Sequence, residues 1–112
     1  MTSDTSALPR SSFLILLALH DGPCHGLGIV SRVEDATNGR VKLGPGTLYG
    51  TLQTLVASDL IRNAPSDRPD DEDPRRRYYR ISPRGERALR TEAERLRVLV
   101  DAAAARRVLG GA

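Results

Sequence analysis

A row of short, uncharged polar side chains in the middle of the chain carries the clearest chemistry that the sequence offers. The row lies within residues 43–56, among leucines at helical spacing, and its members are Thr47, Tyr49, Thr51 and Gln53. Such groups both donate and accept hydrogen bonds, as do the edges of base pairs, and a glutamine amide can pair bidentately with adenine. The alternative is an ordinary core helix with a Thr-rich exposed face, and this stretch alone does not decide between the two.

These polar groups must be positioned by a helix that begins after Gly44-Pro45-Gly46. Glycine and proline interrupt the structure that precedes them, and proline is well suited to the first position of a new helix. Apolar residues at helical spacing predict one buried face. They are Leu48, Leu52, Leu55 and Val56.

The length and composition indicate one small domain with a single core, because the chain has 112 residues. Its one cysteine, Cys24, excludes an internal disulfide framework and fits a reducing compartment. The apolar run at residues 13–19 is shorter than the ~20 residues that cross a bilayer. Asp4 lies where a signal peptide would have its basic leader. We therefore expect a cytoplasmic protein that does not associate with a membrane.

Charge is distributed unevenly, although the formal net charge is only +3. Residues 67–73 hold five acidic residues and one basic residue, whereas residues 75–90 hold seven arginines and one glutamate. A basic block near the polar helix fits contact with the phosphates of a nucleic acid. A solvated basic surface is the alternative. The side chains that we assign to phosphate contact are Lys42, Arg75, Arg76 and Arg77.

Two helices are predicted ahead of the polar helix. The first runs from residue 10 or 11 to about residue 20, with Ser11 or Ser12 as its N-cap. The second covers roughly residues 26–36 and ends near Thr37-Asn38-Gly39, where Asn and Gly tolerate a left-handed backbone. Its inward face is predicted to consist of Leu27, Ile29, Val30 and Val33.

Two short strands and a last helix are predicted after the polar helix. The strands cover residues 60–64 and 76–81, and alternation turns Ile81 and one tyrosine toward the core. The acidic loop between the strands is expected to be mobile. Ser82 is predicted to cap the last helix and Pro83 to occupy its first position.

The last helix is longer than a domain of this size can cover. At about 25 residues it would span ~37 Å, and its apolar positions alternate in steps of four and three residues. We expect it to pair with the same helix of a second subunit; folding back on its own core is the alternative. The first helix is apolar on more than one face and offers further surface. The predicted dimerisation residues are Leu14, Leu17, Leu89, Ala93, Leu96 and Val100.

This order of elements is that of a winged helix-turn-helix, so the predicted fold class is mostly α with a small β-wing and a C-terminal dimerisation helix. Residues 1–9 are expected to form a mobile arm. Residues 10–82 form the DNA-binding domain, with the wing at 60–81, and residues 83–109 form the dimerisation helix.

Three segments together resemble the PadR family of transcriptional regulators: His25–Ile29, Gly44–Tyr49 and Arg77–Ser82. They occur in the order and at the spacing of that family, and the resemblance extends from about Phe13 to Leu96. It implies that the second helix crosses the DNA backbone while the third enters the major groove. The sequence departs from the family in having Gly44 where Ser is usual and Gly50 where Pro is usual.

Metal and catalytic sites are not predicted. His20, Cys24 and His25 are close in sequence, but their spacing matches no closed tetrahedral set. His25 resembles the family's histidine at the start of the second helix, for which a structural or capping role is expected. No Gly-rich phosphate loop and no recognisable acid–base pair are present, so we predict no enzyme activity, no catalytic residue, no metal and no cofactor.

The leading interpretation is a sequence-specific DNA-binding regulator, a repressor that acts as a homodimer on a palindromic site of double-stranded DNA. The resemblance also implies release from DNA by a small-molecule effector, although no aromatic pocket for one is visible in the sequence. The alternative is a winged-helix module that binds a protein partner instead of DNA. The acidic wing loop favours that alternative, whereas the arginine block and the Thr/Gln face oppose it.

Overall fold

Helices form most of the fold, and a small antiparallel sheet joins them. The computed structural model describes residues 7–65 and 77–110. Within these ranges the element order is α1 (Arg10–His20), β1 (Cys24–His25), α2 (Gly26–Ala36), α3 (Pro45–Ala57), β2 (Ile61–Ala64), β3 (Tyr78–Ile81) and α4 (Pro83–Ala105). The predicted fold class, mostly α with a small β-wing and a C-terminal helix, is confirmed.

Local sequence signals set the ends of three helices as predicted. Pro45 occupies the first turn of α3. Ser82 caps α4, and its side-chain oxygen accepts a hydrogen bond of 2.9 Å from the N–H of Gly85. After α2, Asn38 and Gly39 have φ angles of 54° and 78°, the left-handed conformation expected at a helix C-terminus.

The predicted N-cap of α1 is wrong. The helix begins at Arg10, one of the two predicted starts, but its N-cap is Pro9, two residues before Ser11, and no side-chain capping hydrogen bond is present. Ser11 and Ser12 consequently lie within the first turn, where Ser12 is buried against the rest of the domain.

Two apolar residues predicted to face inward are exposed. Leu27 is 68% exposed, because the inward stripe of α2 is formed by Ile29 and Val33 and Leu27 lies outside it. Val56 is 36% exposed, because successive residues of a helix are ~100° apart and Leu55 already faces the core. The apolar face of each helix is therefore narrower than its sequence suggested.

The sheet has three antiparallel strands in the order β1-β3-β2. Tyr79 of the central strand is opposite Cys24 on one side and Asn63 on the other. Tyr79 is buried and Ile81 packs against the core, as predicted. The two-residue strand β1 was not predicted, because periodicity cannot be detected in so short a segment.

Helix α1 lies in the centre of the fold, where it contacts α2, α3, α4 and β3. Elements of the same chain therefore cover more than one apolar face of this helix. The sequence had suggested that a second subunit could cover one of these faces. The largest fully buried side chains belong to α1, α2, α3 and β2: Ile15, Leu16, Leu19, Ile29, Leu48, Leu52, Leu55 and Ile61.

Only the first part of α4 packs on this core. Leu89 and Glu92 are buried, whereas Val98, Leu99 and Val100 are 65%, 54% and 52% exposed. The helix has 23 residues, a length of about 34 Å at 1.5 Å per residue, so its C-terminal half extends beyond the domain. No helix in the described ranges is both long and apolar enough to cross a membrane.

Candidate nucleic-acid interface

Helices α2 and α3 cross closely at Gly26. A Cβ at this position would lie 3.1 Å from the hydroxyl oxygen of Tyr49 and 3.3 Å from Cδ2 of Leu48, both closer than ordinary van der Waals contact. Glycine thus allows the start of α2 to lie directly against α3. The Tyr49 hydroxyl therefore lies close to Gly26, although 54% of the residue is exposed.

His25 fixes the start of α2. Its Nδ1 accepts a hydrogen bond of 3.2 Å from the N–H of Gly28, which makes it the N-cap of the helix. Its ring also meets the Tyr78 ring edge-on, with 5.3 Å between centroids. The predicted capping role of His25 is therefore confirmed. Among the described residues, no three His, Cys, Asp or Glu side chains are grouped as a metal site.

The predicted polar face of α3 divides into two parts. Thr47, Tyr49 and Gln53 are exposed. Thr51 is half-buried, and its hydroxyl donates a hydrogen bond of 3.3 Å to Oγ of Ser11 in α1. Thr51 therefore faces α1. Thr47 is exposed but also borders α1, beside Arg10 and Ser11, whereas Tyr49 and Gln53 lie on the side of the wing.

A groove separates α3 from the wing on one side. We call it the wing groove, and it is lined by Tyr49, Leu52, Gln53, Val56, Asn63, Arg77 and Tyr79. Leu52 and Tyr79 are buried, while Asn63 and Arg77 are exposed beside Gln53. Asn63 was not identified from the sequence. Its position two residues after Ile61 in a strand was the available signal, because alternate residues share a face.

A second groove lies on the opposite side of α3, between that helix and α1. We call it the α1 groove, and it is lined by Arg10, Ser11, Leu14, Val41, Lys42, Leu43, Gly44 and Thr47. Both cations of this groove are exposed, and its lining among residues 7–65 and 77–110 includes no carboxylate. Helix α3 is consequently flanked by Arg10 and Lys42 on one side and by Arg77 on the other.

The exposed arginines of the wing differ in their partners. Arg62 forms an exposed ion pair with Asp59, with hydrogen bonds of 2.9 and 3.2 Å. This hydrogen bond from Arg62 lowers the pKa of the Asp59 carboxyl. Within the described ranges, Arg77 and Arg80 form no ion pair. Their charges are therefore the ones available to an external anion.

Two predicted phosphate contacts, Arg75 and Arg76, lie outside the described residues, as does the acidic loop at 67–73. The assignments of these residues stay predictions from the sequence.

The six residues predicted for dimerisation occupy different environments. Leu14 and Leu89 lie in the core of the protomer, 8% and 7% exposed. Leu17 packs partly against that core. On α4, Leu96 is half-buried, and the exposed members are Ala93 and Val100. A second subunit would thus meet chiefly the α4 residues of this set, and dimerisation itself stays a prediction.

Helices α2 and α3, followed by the β2–β3 hairpin, define a winged helix-turn-helix. A model of the Transcriptional regulator PadR-like family matches residues 15–91 of the chain. The protein therefore belongs to the Transcriptional regulator PadR-like family.

Known proteins resemble the chain to different extents. A protein of Streptomyces fradiae, described as an uncharacterized 37.1 kDa protein in transposon TN4556, is 40% identical over 83 residues. This alignment spans 74% of the chain but only 22% of that relative. A PadR family transcription regulator of Clostridium difficile has a TM-score of 0.71 at 22% identity, over 85% of this chain and 95% of that one. Bacillus subtilis PadR, solved in complex with operator DNA, has a TM-score of 0.61 at 17% identity, over 73% and 45% of the two chains.

Proposed function

We propose that this protein is a sequence-specific DNA-binding repressor that acts in the cytoplasm as a homodimer on a palindromic operator. The observation that carries the proposal is the exposed, uncharged, hydrogen-bonding surface of α3, which has cations on both sides. That arrangement suits a helix lying in the major groove between two phosphate strands. The complex of Bacillus subtilis PadR with operator DNA supports the same use of the fold.

In this proposal the side chains of α3 divide into readers and supports. Gln53 pairs with a base edge, and a good bidentate contact contributes about 1–3 kcal/mol of discrimination against the wrong base. Thr47 and Tyr49 contact neighbouring base edges. Thr51, which faces α1, orients α3 through its hydrogen bond to Ser11. The phosphate contacts are Lys42, Arg77 and, from the sequence, Arg75 and Arg76.

The dimer forms through the C-terminal half of α4. Val98, Leu99 and Val100 are more than half exposed there, an unfavourable state for consecutive apolar residues on a free helix. Pairing of two such helices around a twofold axis would place the two copies of α3 about 34 Å apart, one turn of DNA. A small-molecule effector bound near this interface would release the dimer from its operator.

The test is a binding titration with the DNA upstream of the protein's own gene. Affinity for this DNA and for a random duplex is measured between 50 and 200 mM salt, a range in which about 6–10 phosphate contacts lower affinity by ~10³–10⁵. We expect tight, salt-sensitive binding to one palindrome. Gln53→Ala relaxes the preference at one base-pair position in each half-site, whereas Arg77→Gln weakens all sequences alike.

Other outcomes would favour a different function. Binding no tighter than to random DNA at moderate salt would contradict the repressor. The winged-helix module that binds a protein partner would then be favoured, with the acidic sequence at 67–73 as the surface for a basic protein.

A further inference from the structure

We propose that Arg10, the first residue of α1, binds a DNA phosphate together with Lys42, on the side of α3 opposite the wing. This inference rests on the proposed function and adds a phosphate subsite to it. The ligand is a phosphodiester oxygen of the DNA strand that borders the α1 groove.

The side chains that line the α1 groove form an anion site by their chemistry. Arg10 and Lys42 supply positive charge, and Ser11 supplies a hydroxyl group. Arginine, lysine and serine are among the side chains that contact DNA phosphates. Among the described residues, no carboxylate lines the groove and neither cation has an ion-pair partner.

Arg10 and Lys42 carry the same charge and share one groove, and neither is paired with a carboxylate of the described residues. Both residues are exposed to solvent. An anion bound between them would offset the repulsion between their positive charges. Arg62 of the wing differs, because Asp59 of the same chain forms an ion pair with it. For Arg10 and Lys42, we infer that the counter-charge comes from an external anion.

The backbone next to the groove has the same polarity. Helices α1 and α3 both begin at its rim, and neither N-cap residue, Pro9 or Gly44, provides a side-chain hydrogen bond to the first turn. The N–H groups of a first turn and the positive end of the helix dipole both favour an anion. These features add to the field of the two cations.

The position of the groove matches the second edge of a DNA major groove. A major groove about 12 Å wide has a phosphate strand along each side of the helix that enters it. The wing groove presents Arg77 to one of these strands, on the side of Tyr49 and Gln53. Thr47 lies on the other side of α3, and it shares its groove with Arg10 and Lys42. Each strand thereby meets at least one cation.

The inference is tested by the salt dependence of DNA binding in Arg10→Gln. Kd is measured by fluorescence anisotropy on the operator and on a random duplex at several salt concentrations. Loss of one phosphate contact lowers the slope of log K against log salt by about 0.9, and it weakens binding about eightfold at 0.1 M salt. We expect this loss on both duplexes. Arg10→Gln combined with Lys42→Gln should lower the slope by no more than about 0.9 in total, because the two cations bind the same phosphate.

The matched control is Arg87→Gln, which removes an exposed arginine from α4. It lies on the face of that helix opposite the buried Leu89 and Glu92, and it should leave the slope unchanged. Arg10→Lys keeps the charge and should retain most of the slope. Circular dichroism confirms the fold of each variant, and Arg10→Met, which also removes the charge, serves as the test if Arg10→Gln does not fold.

Two results would overturn the inference. The first is an unchanged slope in Arg10→Gln while the wild-type protein binds its operator with steep salt dependence. The second is a loss confined to the operator, because a phosphate contact carries no sequence information. A wild-type protein that shows no steep salt dependence at all would instead refute the proposed function.

Discussion

Replacement of glycine by alanine should have opposite effects at Gly85, where β2, β3 and the start of α4 meet, and at Gly50 in α3. Ser82 joins the three elements: its N–H donates to the carbonyl of Leu60 at 3.1 Å, and its hydroxyl donates to the carbonyl of Asp59 at 2.6 Å. Gly85 follows one turn later and is buried against Leu60 and Ile81. A side chain at Gly85 would therefore push α4 away from the wing.

The size of the effect follows from the available space. A Cβ at Gly85 would lie 2.8 Å from Cγ1 of Ile81 and closer still to the backbone oxygen of Leu60, which has no rotamer to change. Overpacking of this kind costs about 1–3 kcal/mol, and each Ser82 hydrogen bond that is broken adds about 1 kcal/mol. The better helix propensity of alanine offsets about 1 kcal/mol. We expect Gly85→Ala to lower the free energy of unfolding by about 1–3 kcal/mol.

The matched control is Gly50→Ala in α3. A Cβ at Gly50 would meet no atom within 4 Å, so only the helix propensity changes, and we expect stabilisation of up to about 1 kcal/mol. Urea denaturation followed by circular dichroism measures both values, and a thermal scan should separate the variants by roughly 4–8 °C for each kcal/mol. Equal stability of Gly85→Ala and the wild type would refute the steric argument, as would destabilisation by Gly50→Ala.

Three further predictions concern single side chains. Arg32→Ala should lower the free energy of unfolding by about 1–3 kcal/mol in urea titration, because its Nη1 donates to two carbonyls at the end of α1 at 2.9 and 2.7 Å; unchanged stability would contradict this. The hydrogen bond from Arg95 lowers the pKa of the Glu92 carboxyl against the opposing effect of burial. The ionised carboxyl therefore stabilises the fold above its unfolded pKa of about 4.3, and that stability is lost as pH falls through the lower folded pKa. Glu92→Gln should flatten this acid limb in denaturation measured from pH 6 to pH 2, and an unaltered limb would exclude the pair. Burial raises the pKa of the Cys24 thiol, so a thiol reagent at pH 8 should react slowly with native protein and rapidly in urea; equal rates would show that the thiol is accessible.

Local chemistry made several features predictable from the sequence. Proline at a first helical turn, serine at an N-cap and Asn-Gly after a helix act within a few residues, so the limits of α2 and the starts of α3 and α4 agree with prediction. Alternation along β3 also depends on adjacent residues, and it correctly predicted that Tyr79 faces the core. The family was also recognisable, because its three motifs are defined by residue type, order and spacing within residues 15–91.

Features that depend on neighbours distant in sequence were not predictable. The exposure of Leu27 and Val56 depends on which arc of each helix meets the core, and hydrophobicity alone does not fix that arc. Strand β1 exists because Cys24 and His25 pair with β3, more than fifty residues later in the chain. Thr51 could be separated from Thr47 only once α1 was placed beside α3.

The sequence by itself determined the order of the four helices and the two wing strands, the starts of α3 and α4 and the uncharged polar character of α3, since these depend on residue type and short spacing. Tertiary structure alone decided that α3 lies between two grooves with cations on opposite sides. Arg10 and Lys42 are 32 residues apart in the sequence, and only the packing of α1 against α3 brings them to one groove. Residue type fixes the chemistry of each side chain, whereas tertiary packing decides which side chains lie together at one site.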